Sequence, residues 1–250
     1  MRSPLNKRLF RELRGEFGKY LVIFILMTLT IGMVSGFLVA DGSMIQAYEE
    51  SFEKYSIENG HFRTEKKMNN AQIQDIEDLG IKLYENYYVE EALTNGSTMR
   101  IFKNCDEVNK VCLMKGKMPE KPGEIGIDRM YADNNDLSVG DEIESGGHTW
   151  KITGLVALSD YSALFSNNND SMFDSVKFGV SVVCPEEFDS YKADQLNYSY
   201  AWKYNTEPKN EKAEKDISED LMEDVAKEVT LEEFVPRYTN QAIIFTGDDM

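Results

Sequence analysis

Residues 111–161 read VCLMKGKMPEKPGEIGIDRMYADNNDLSVGDEIESGGHTWKITGLVALSDY, and their punctuation decides the class of fold. Pro119, Pro122 and Gly123 interrupt the chain as a loop, because proline lacks a backbone donor and glycine tolerates turn geometry. Glu124–Asp128 then has the pattern of a short strand. Arg129–Asn134 has that of one or two helical turns. Val139-Gly140-Asp141 turns the chain into Glu142–Glu144, and Gly146-Gly147 reverses it into Thr149–Val156. The last pair reads as a β-hairpin that packs through Trp150, Ile152 and Leu155. Short strands mixed with a helix over so few residues predict a compact mixed α/β module.

The flanking sequence continues the pattern. On the N-terminal side, Asn70–Leu79 is a short helix with Ala71, Ile73, Ile76 and Leu79 inward. Asn69 or Asn70 serves as its N-cap and Gly80 stops it. Ile81–Val89 has strand composition, and Asn95-Gly96 turns the chain into a second strand at Thr98–Phe102. On the C-terminal side, Ser166–Asp174 is a polar loop and Val176–Val183 a β-branched, aromatic strand. Pro185 opens a short helix, Tyr198–Tyr204 is a further strand, and Glu207–Lys212 is a charged linker. Glu214–Lys227 is an amphipathic helix on Ile217, Leu221 and Val225. Gln241–Met250 begins as an apolar, strand-like stretch. The class expected is α+β.

Further upstream the character changes. Tyr20–Ala40, YLVIFILMTLTIGMVSGFLVA, carries no charge. At about 1.5 Å per residue it is long enough as a helix to cross a hydrocarbon layer of about 30 Å. Residues 1–19 hold six basic side chains against Glu12 and Glu16, while the whole chain carries −17, so the acidic excess lies beyond the apolar run. Basic residues beside a span stay on the cytoplasmic side. The N-terminus is therefore expected inside and residues 41–250 outside. The apolar core is longer than that of a cleaved signal peptide, and Leu38-Val39-Ala40 lacks the small residues of a cleavage site. Leu5, Leu9, Phe10, Leu13 and Phe17 recur at helical spacing, with Arg8, Arg11, Arg14 and Lys19 as a cytoplasmic basic anchor. This is the pattern of an amphipathic helix on the inner membrane surface, or of a plain basic stop to insertion. Gly32 and Gly36 form a G-x-x-x-G pair of the kind that packs helices in lipid. Met44, Ile45, Tyr48, Phe52 and Tyr55 extend the helix as a stalk. The expected division is 1–19 basic segment, 20–40 transmembrane helix, 41–58 stalk and 59–250 extracellular domain.

The acidity argues against nucleic acid as a partner, since phosphates would be repelled. There is no G-x-x-x-x-G-K-[ST] loop, G-x-S-x-G elbow or H-E-x-x-H motif, and the two histidines, His61 and His148, lie far apart. No catalytic residue, cofactor site or metal site is expected. Asn167, Asn169, Asp170 and Asp174 do not have calcium-loop spacing. His148 reads as a solvated turn residue, and Glu90-Glu91 and Glu232-Glu233 as solvated faces. Cys105 and Cys112 leave open either a bridge or two ordinary thiols, with Cys184 alone.

Lys115–Tyr161 resembles the extracellular core domain of FtsX/MacB-like ABC transporter permeases. The likeness rests on Lys115-Gly116-Lys117-Met118-Pro119, Gly123-Glu124-Ile125, Ala132, Val139-Gly140-Asp141, Ile143, Ile152, Gly154 and Val156, in that order. The lead KRLFRELRGEFGKYLVIF before the apolar run is similar to that of family members in Firmicutes. The resemblance implies a MacB-like core domain lying between the first two of four or more spans in a bacterial plasma membrane. It implies a dimer of permease subunits working with a separate cytoplasmic ATPase. It also implies export of lipoprotein, peptide or antibiotic, or signalling to cell-wall enzymes, by moving the extracellular domain. No further span or coupling helix follows, so the chain looks like the N-terminal part of such a permease. The other reading is a single-span surface receptor or sensor with a ligand-binding ectodomain.

Overall fold

The computed structural model describes residues 14–145 and 147–243, and the chain divides into two units, residues 1–49 and 50–250. Helix α1 (Phe17–Lys54) runs through the boundary. Its stretch Phe17–Ala40 has a mean hydropathy of 2.4 and none of it is buried. It is the one helix among the described residues long and apolar enough to cross a membrane. The helix stops at Lys54, short of the expected 58. Ser56 adopts a left-handed conformation (φ 52°), Ser56 N–H donates to the Glu53 carbonyl (3.2 Å), and Ile57 N–H donates to the Phe52 carbonyl (3.0 Å). That paired closure ends a helix firmly, and here a serine supplies it where glycine is usual. Ile57, Glu58 and Asn59 are buried, so they belong to the folded unit and not to a stalk.

The second unit is built on two sheets. The smaller is wholly antiparallel, in the order β11 (Leu231–Pro236), β1 (Gly60–Thr64), β10 (Tyr198–Tyr204), β2 (Ile81–Glu85). The larger runs β3 (Tyr88–Ala92), β4 (Thr98–Lys103), β9 (Phe178–Val183), β6 (Glu124–Asp128), β8 (His148–Ala157), β5 (Cys112–Gly116), with β7 (Glu142–Ser145) also on β8. It is mixed: β4–β9 and β6–β8 are parallel and the remaining pairs antiparallel. The mixed α/β expectation therefore holds. Strands β1, β5 and β11 were not expected, and the single strand foreseen over Ile81–Val89 is two. Its break at Asn86 is where the chain leaves the small sheet for the large one, with Asn86 N–H donating to the Ser199 carbonyl (2.9 Å).

Helix α2 (Asn70–Glu77) begins with a capping box, Asn69 accepting from Ala71 and Gln72 while the Gln72 side chain returns to the Asn69 N–H. Such reciprocal bonds satisfy donors that a helix start leaves unpaired. Helix α3 (Arg129–Asn134) starts on Asp128, whose carboxylate accepts from Met130 and Tyr131. Helix α4 (Pro185–Phe188) is one turn, and helix α5 (Glu211–Glu228), capped by Asn210, buries Leu221 and Val225. Gln241–Ile243 are helical, not strand, and residues 244–250 of that expected strand lie outside the described residues.

One hydrophobic cluster continues from the small sheet into the large one. Phe62, central in β1, stacks on Tyr200 and Phe234 at 5.6 and 6.3 Å, and Trp202 stacks on Phe234 at 4.8 Å. Aromatic burial of this kind carries much of a core's hydrophobic free energy. The motif glycines have a packing reason. A Cβ on Gly154 would lie 2.5 Å from the Lys117 carbonyl oxygen. One on Gly116 (φ +83°) would lie 2.3 Å from that of Thr153. Only glycines let the end of β5 close on β8 there.

Candidate functional site

The two sheets meet around a polar cavity of about 70 Å³. His61 and Arg63 of β1, Arg100 and Phe102 of β4, Asp160 and Glu233 line it. Strand alternation sets this arrangement: Phe62 turns into the core while its neighbours His61 and Arg63 turn to the other face.

The cations are held first. Arg100 lies over the rings of Tyr88 (4.4 Å) and Phe178 (5.0 Å). Its guanidinium donates to Glu90 (2.9 and 2.6 Å), the Tyr161 hydroxyl (2.7 Å) and the Ser166 carbonyl (2.9 Å). Burial alone would lower its pKa, but Tyr161, Tyr88 and Glu90 outweigh that and hold it raised. Arg63 pairs with Glu232 at 2.9 Å and approaches Glu233 at 3.7 Å, so neither of those acids is a plain solvated residue.

Behind them sits a buried carboxylate pair. Glu58 is fully buried and contacts His61 Nδ1 at 2.5 Å. Asn109, itself left-handed (φ 47°), donates its side-chain amide to Glu58 (2.7 Å) and to Asp160 Oδ2 (3.1 Å). Its amide oxygen accepts from the Glu58 N–H at 2.9 Å. Burial and the neighbouring Glu58 charge push the Asp160 carboxyl up to about 7. His61 is held above the ordinary histidine value, with burial opposing and the Glu58 carboxylate prevailing. A carboxyl buried beside a second acid is pushed toward its neutral form in this way. Asp160 Oδ1 is buried without a hydrogen-bond partner among the described residues.

A second polar knot corrects the expectation of a solvated Glu90-Glu91 face. Glu91 is buried; it accepts from Ser145, from Tyr191 (3.0 Å) and lies 3.7 Å from His148, while Trp150 Nε1 donates to Ser145 (2.7 Å). The Ser145 hydroxyl is buried between the Glu91 carboxylate and the Trp150 N–H, so the group joins β3, the β7–β8 hairpin and Tyr191. His148 is exposed, as expected, and starts β8 directly after the turn with its ring edge-on to Trp150.

Of the residues singled out from sequence, Arg8 and Arg11 lie outside the described residues. Arg14 is exposed, and Lys19 pairs with Glu16 at 3.0 Å. Gly32 and Gly36 sit on α1 with nothing within 4 Å of an added Cβ. All three cysteines are free thiols; Tyr55 donates to Cys112 at 3.2 Å. Among the described residues no group of three or more His, Cys, Asp or Glu is placed to hold a metal. The cavity residues were missed from sequence because positions 58, 61, 109, 160 and 233 meet only through the sheet pairing.

The structure combines an apolar helix with a two-sheet α+β domain. No family model matches the chain. No curated protein matches it either. Among solved structures it is similar to the extracellular domain of a noncanonic ABC-type transporter, YknZ, from Gram-positive bacteria. That match has 12% identity and a TM-score of 0.37, covering 67% of this chain and 92% of that one. It is also similar to the periplasmic region of MacB from Actinobacillus actinomycetemcomitans, with 12% identity and a TM-score of 0.37, covering 76% and 92%. At these scores neither likeness carries function to this chain.

Proposed function

We propose that the chain is a permease subunit of an ABC transporter, or the N-terminal part of one. In this reading it is anchored by α1 in a bacterial plasma membrane with residues 41–250 outside. A separate cytoplasmic ATPase drives movement of the extracellular domain, and two permease subunits pair through the Gly32/Gly36 face. Arg14 and Lys19, with Arg8 and Arg11 before them, keep the N-terminus inside. The work done is export of peptide, antibiotic or lipoprotein, or signalling across the membrane.

The observation that carries the reading is how the domain is tied to its helix. Residues 50–54 of α1 belong to the folded unit. Residues 236–243 return to that point: Arg237 N–H donates to the Asn59 carbonyl (2.8 Å), and its guanidinium lies over Phe52 (5.0 Å). A domain gripped at one place by incoming and returning chain suits one that is moved by membrane helices. The ordered resemblance over Lys115–Tyr161 supports the same reading. The test is co-expression with any ABC ATPase found encoded beside this gene, followed by reconstitution in nanodiscs. Co-purification, with an ATP-dependent change in the distance between labels on paired extracellular domains, is expected. Failure of the ATPase to associate, with no response to ATP, would sink the idea.

A single-span receptor is the second reading, and the polar cavity favours it. Ligand binding at the cavity with no associated ATPase would select it.

A further inference from the structure

We infer that the cavity between the two sheets binds a small organic cation, a primary ammonium or guanidinium group, on the unpaired oxygen of Asp160. The inference stands apart from the transporter reading, because it rests on the cavity alone.

Charge balance is the first argument. Five carboxylates, Glu58, Glu90, Asp160, Glu232 and Glu233, surround three cationic side chains, His61, Arg63 and Arg100. Each cation already has an acid: His61 has Glu58, Arg100 has Glu90, and Arg63 has Glu232. Glu233 shares the already paired Arg63 at 3.7 Å, and Asp160 alone of the five has no ion-pair partner among the described residues. It is 6% exposed, one oxygen is held by Asn109, and the other meets no donor among the described residues. A buried carboxylate oxygen without a partner is a standing penalty that a bound cation removes.

Size and chemistry narrow the class. A cavity of about 150 Å³ takes benzene, so one of about 70 Å³ suits a smaller end group. A metal ion needs several oxygen ligands converging on one point, and no such group of acids occurs among the described residues. A nitrogen cation needs one carboxylate, neighbouring acceptors and aromatic faces. Asn86 and Ser199 supply acceptor oxygens on the wall, and Phe102 and Tyr161 supply rings.

The test is calorimetric titration of the full chain in nanodiscs with ethylammonium and with methylguanidinium chloride, at constant ionic strength. Potassium and calcium chlorides serve as controls. Saturable binding of an organic cation at pH 8 is expected, weakened about tenfold or more in Asp160→Asn. A second arm uses the wild-type chain alone. Affinity is expected to fall between pH 8 and pH 5.5, because Asp160 takes up a proton. Around it, Glu58 faces it from the turn after α1, Asn109 from the loop before β5, His61 from β1 and Arg100 from β4. Protonation of His61 acts in the same direction. Absence of saturable binding, equal affinity in Asp160→Asn, or calcium binding in place of the organic cations would each refute the assignment.

Discussion

Asp160→Asn should make the protein more stable at pH 8 and leave it unchanged below about pH 4. The carboxyl, ordinarily near 3.8, is held at about 7 by burial and by Glu58. Folding therefore binds a proton at Asp160 between those values. Its contribution is full below about 4 and is lost as the pH rises through 7. At about 1.36 kcal/mol for each pH decade, the interval gives a ceiling of about 4 kcal/mol. Relaxation and water penetration around a buried carboxylate bring the expectation to about 2 kcal/mol. His61, whose pKa is also raised, stabilises fully below 6.5 and loses that as pH climbs through its folded value. Both groups thus make the wild-type chain lose stability from pH 5 to pH 8. Asparagine keeps the shape and can still meet the Asn109 amide through its oxygen. Urea unfolding in detergent, followed by fluorescence of the buried Trp150 and Trp202, measures the difference at each pH. The general acidity of the chain affects both proteins alike and cancels. An asparagine variant less stable than wild type at pH 8, or a wild type gaining stability between pH 5 and 8, would refute the reasoning.

Gly60→Ala places a Cβ 2.3 Å from the Trp202 ring and 2.7 Å from the Val235 carbonyl oxygen. A loss of about 3 kcal/mol is expected, read as a lowered midpoint of thermal or urea unfolding. Asn109→Ala removes the amide shared by Glu58 and Asp160 and strains a left-handed position (φ 47°). It should cost about 3 kcal/mol, with Asn109→Gly recovering about 1 kcal/mol of that by relieving the backbone alone. Replacing Gly32 and Gly36 together by leucine should weaken self-association in a membrane crosslinking assay several-fold if these glycines pack two copies; unchanged crosslinking would remove them from the interface. On intact cells, a membrane-impermeant maleimide should label Cys105, which is partly exposed, and spare the buried Cys184. Labelling of Cys105 only after lysis would reverse the proposed orientation.

Local signals made much of this fold legible. The hairpin around Gly147 and the helices at Asn69 and Asp128 announce themselves through turn glycines and capping side chains that act within a few residues. Strands β1 and β11 carry no such signal. GHFRT and LEEFVP mix charge into short runs, and they become strands because Phe62 and Phe234 stack across them. The division of Ile81–Val89 was hidden because sheet membership, not propensity, breaks the chain at Asn86. Glu91 read as solvated because its partners, Ser145, His148 and Tyr191, are supplied by remote segments. The cavity was the least legible part. Each of its residues looks like an ordinary exposed polar side chain until β1, β4 and the stretch after β8 are brought together.

The order of strands in the small sheet has a consequence for biogenesis. Every strand of the large sheet lies between residues 88 and 183, so it can close as soon as that stretch has emerged. Strand β1 follows directly after the helix that leads the chain, yet its neighbours β10 and β11 begin at residues 198 and 231. During synthesis, β1 must wait with both edges open while the intervening chain is delivered. Such late, non-local pairing is slow and exposes strand edges to wrong partners. The assembly step most open to error is therefore the seating of β1 between two strands made last.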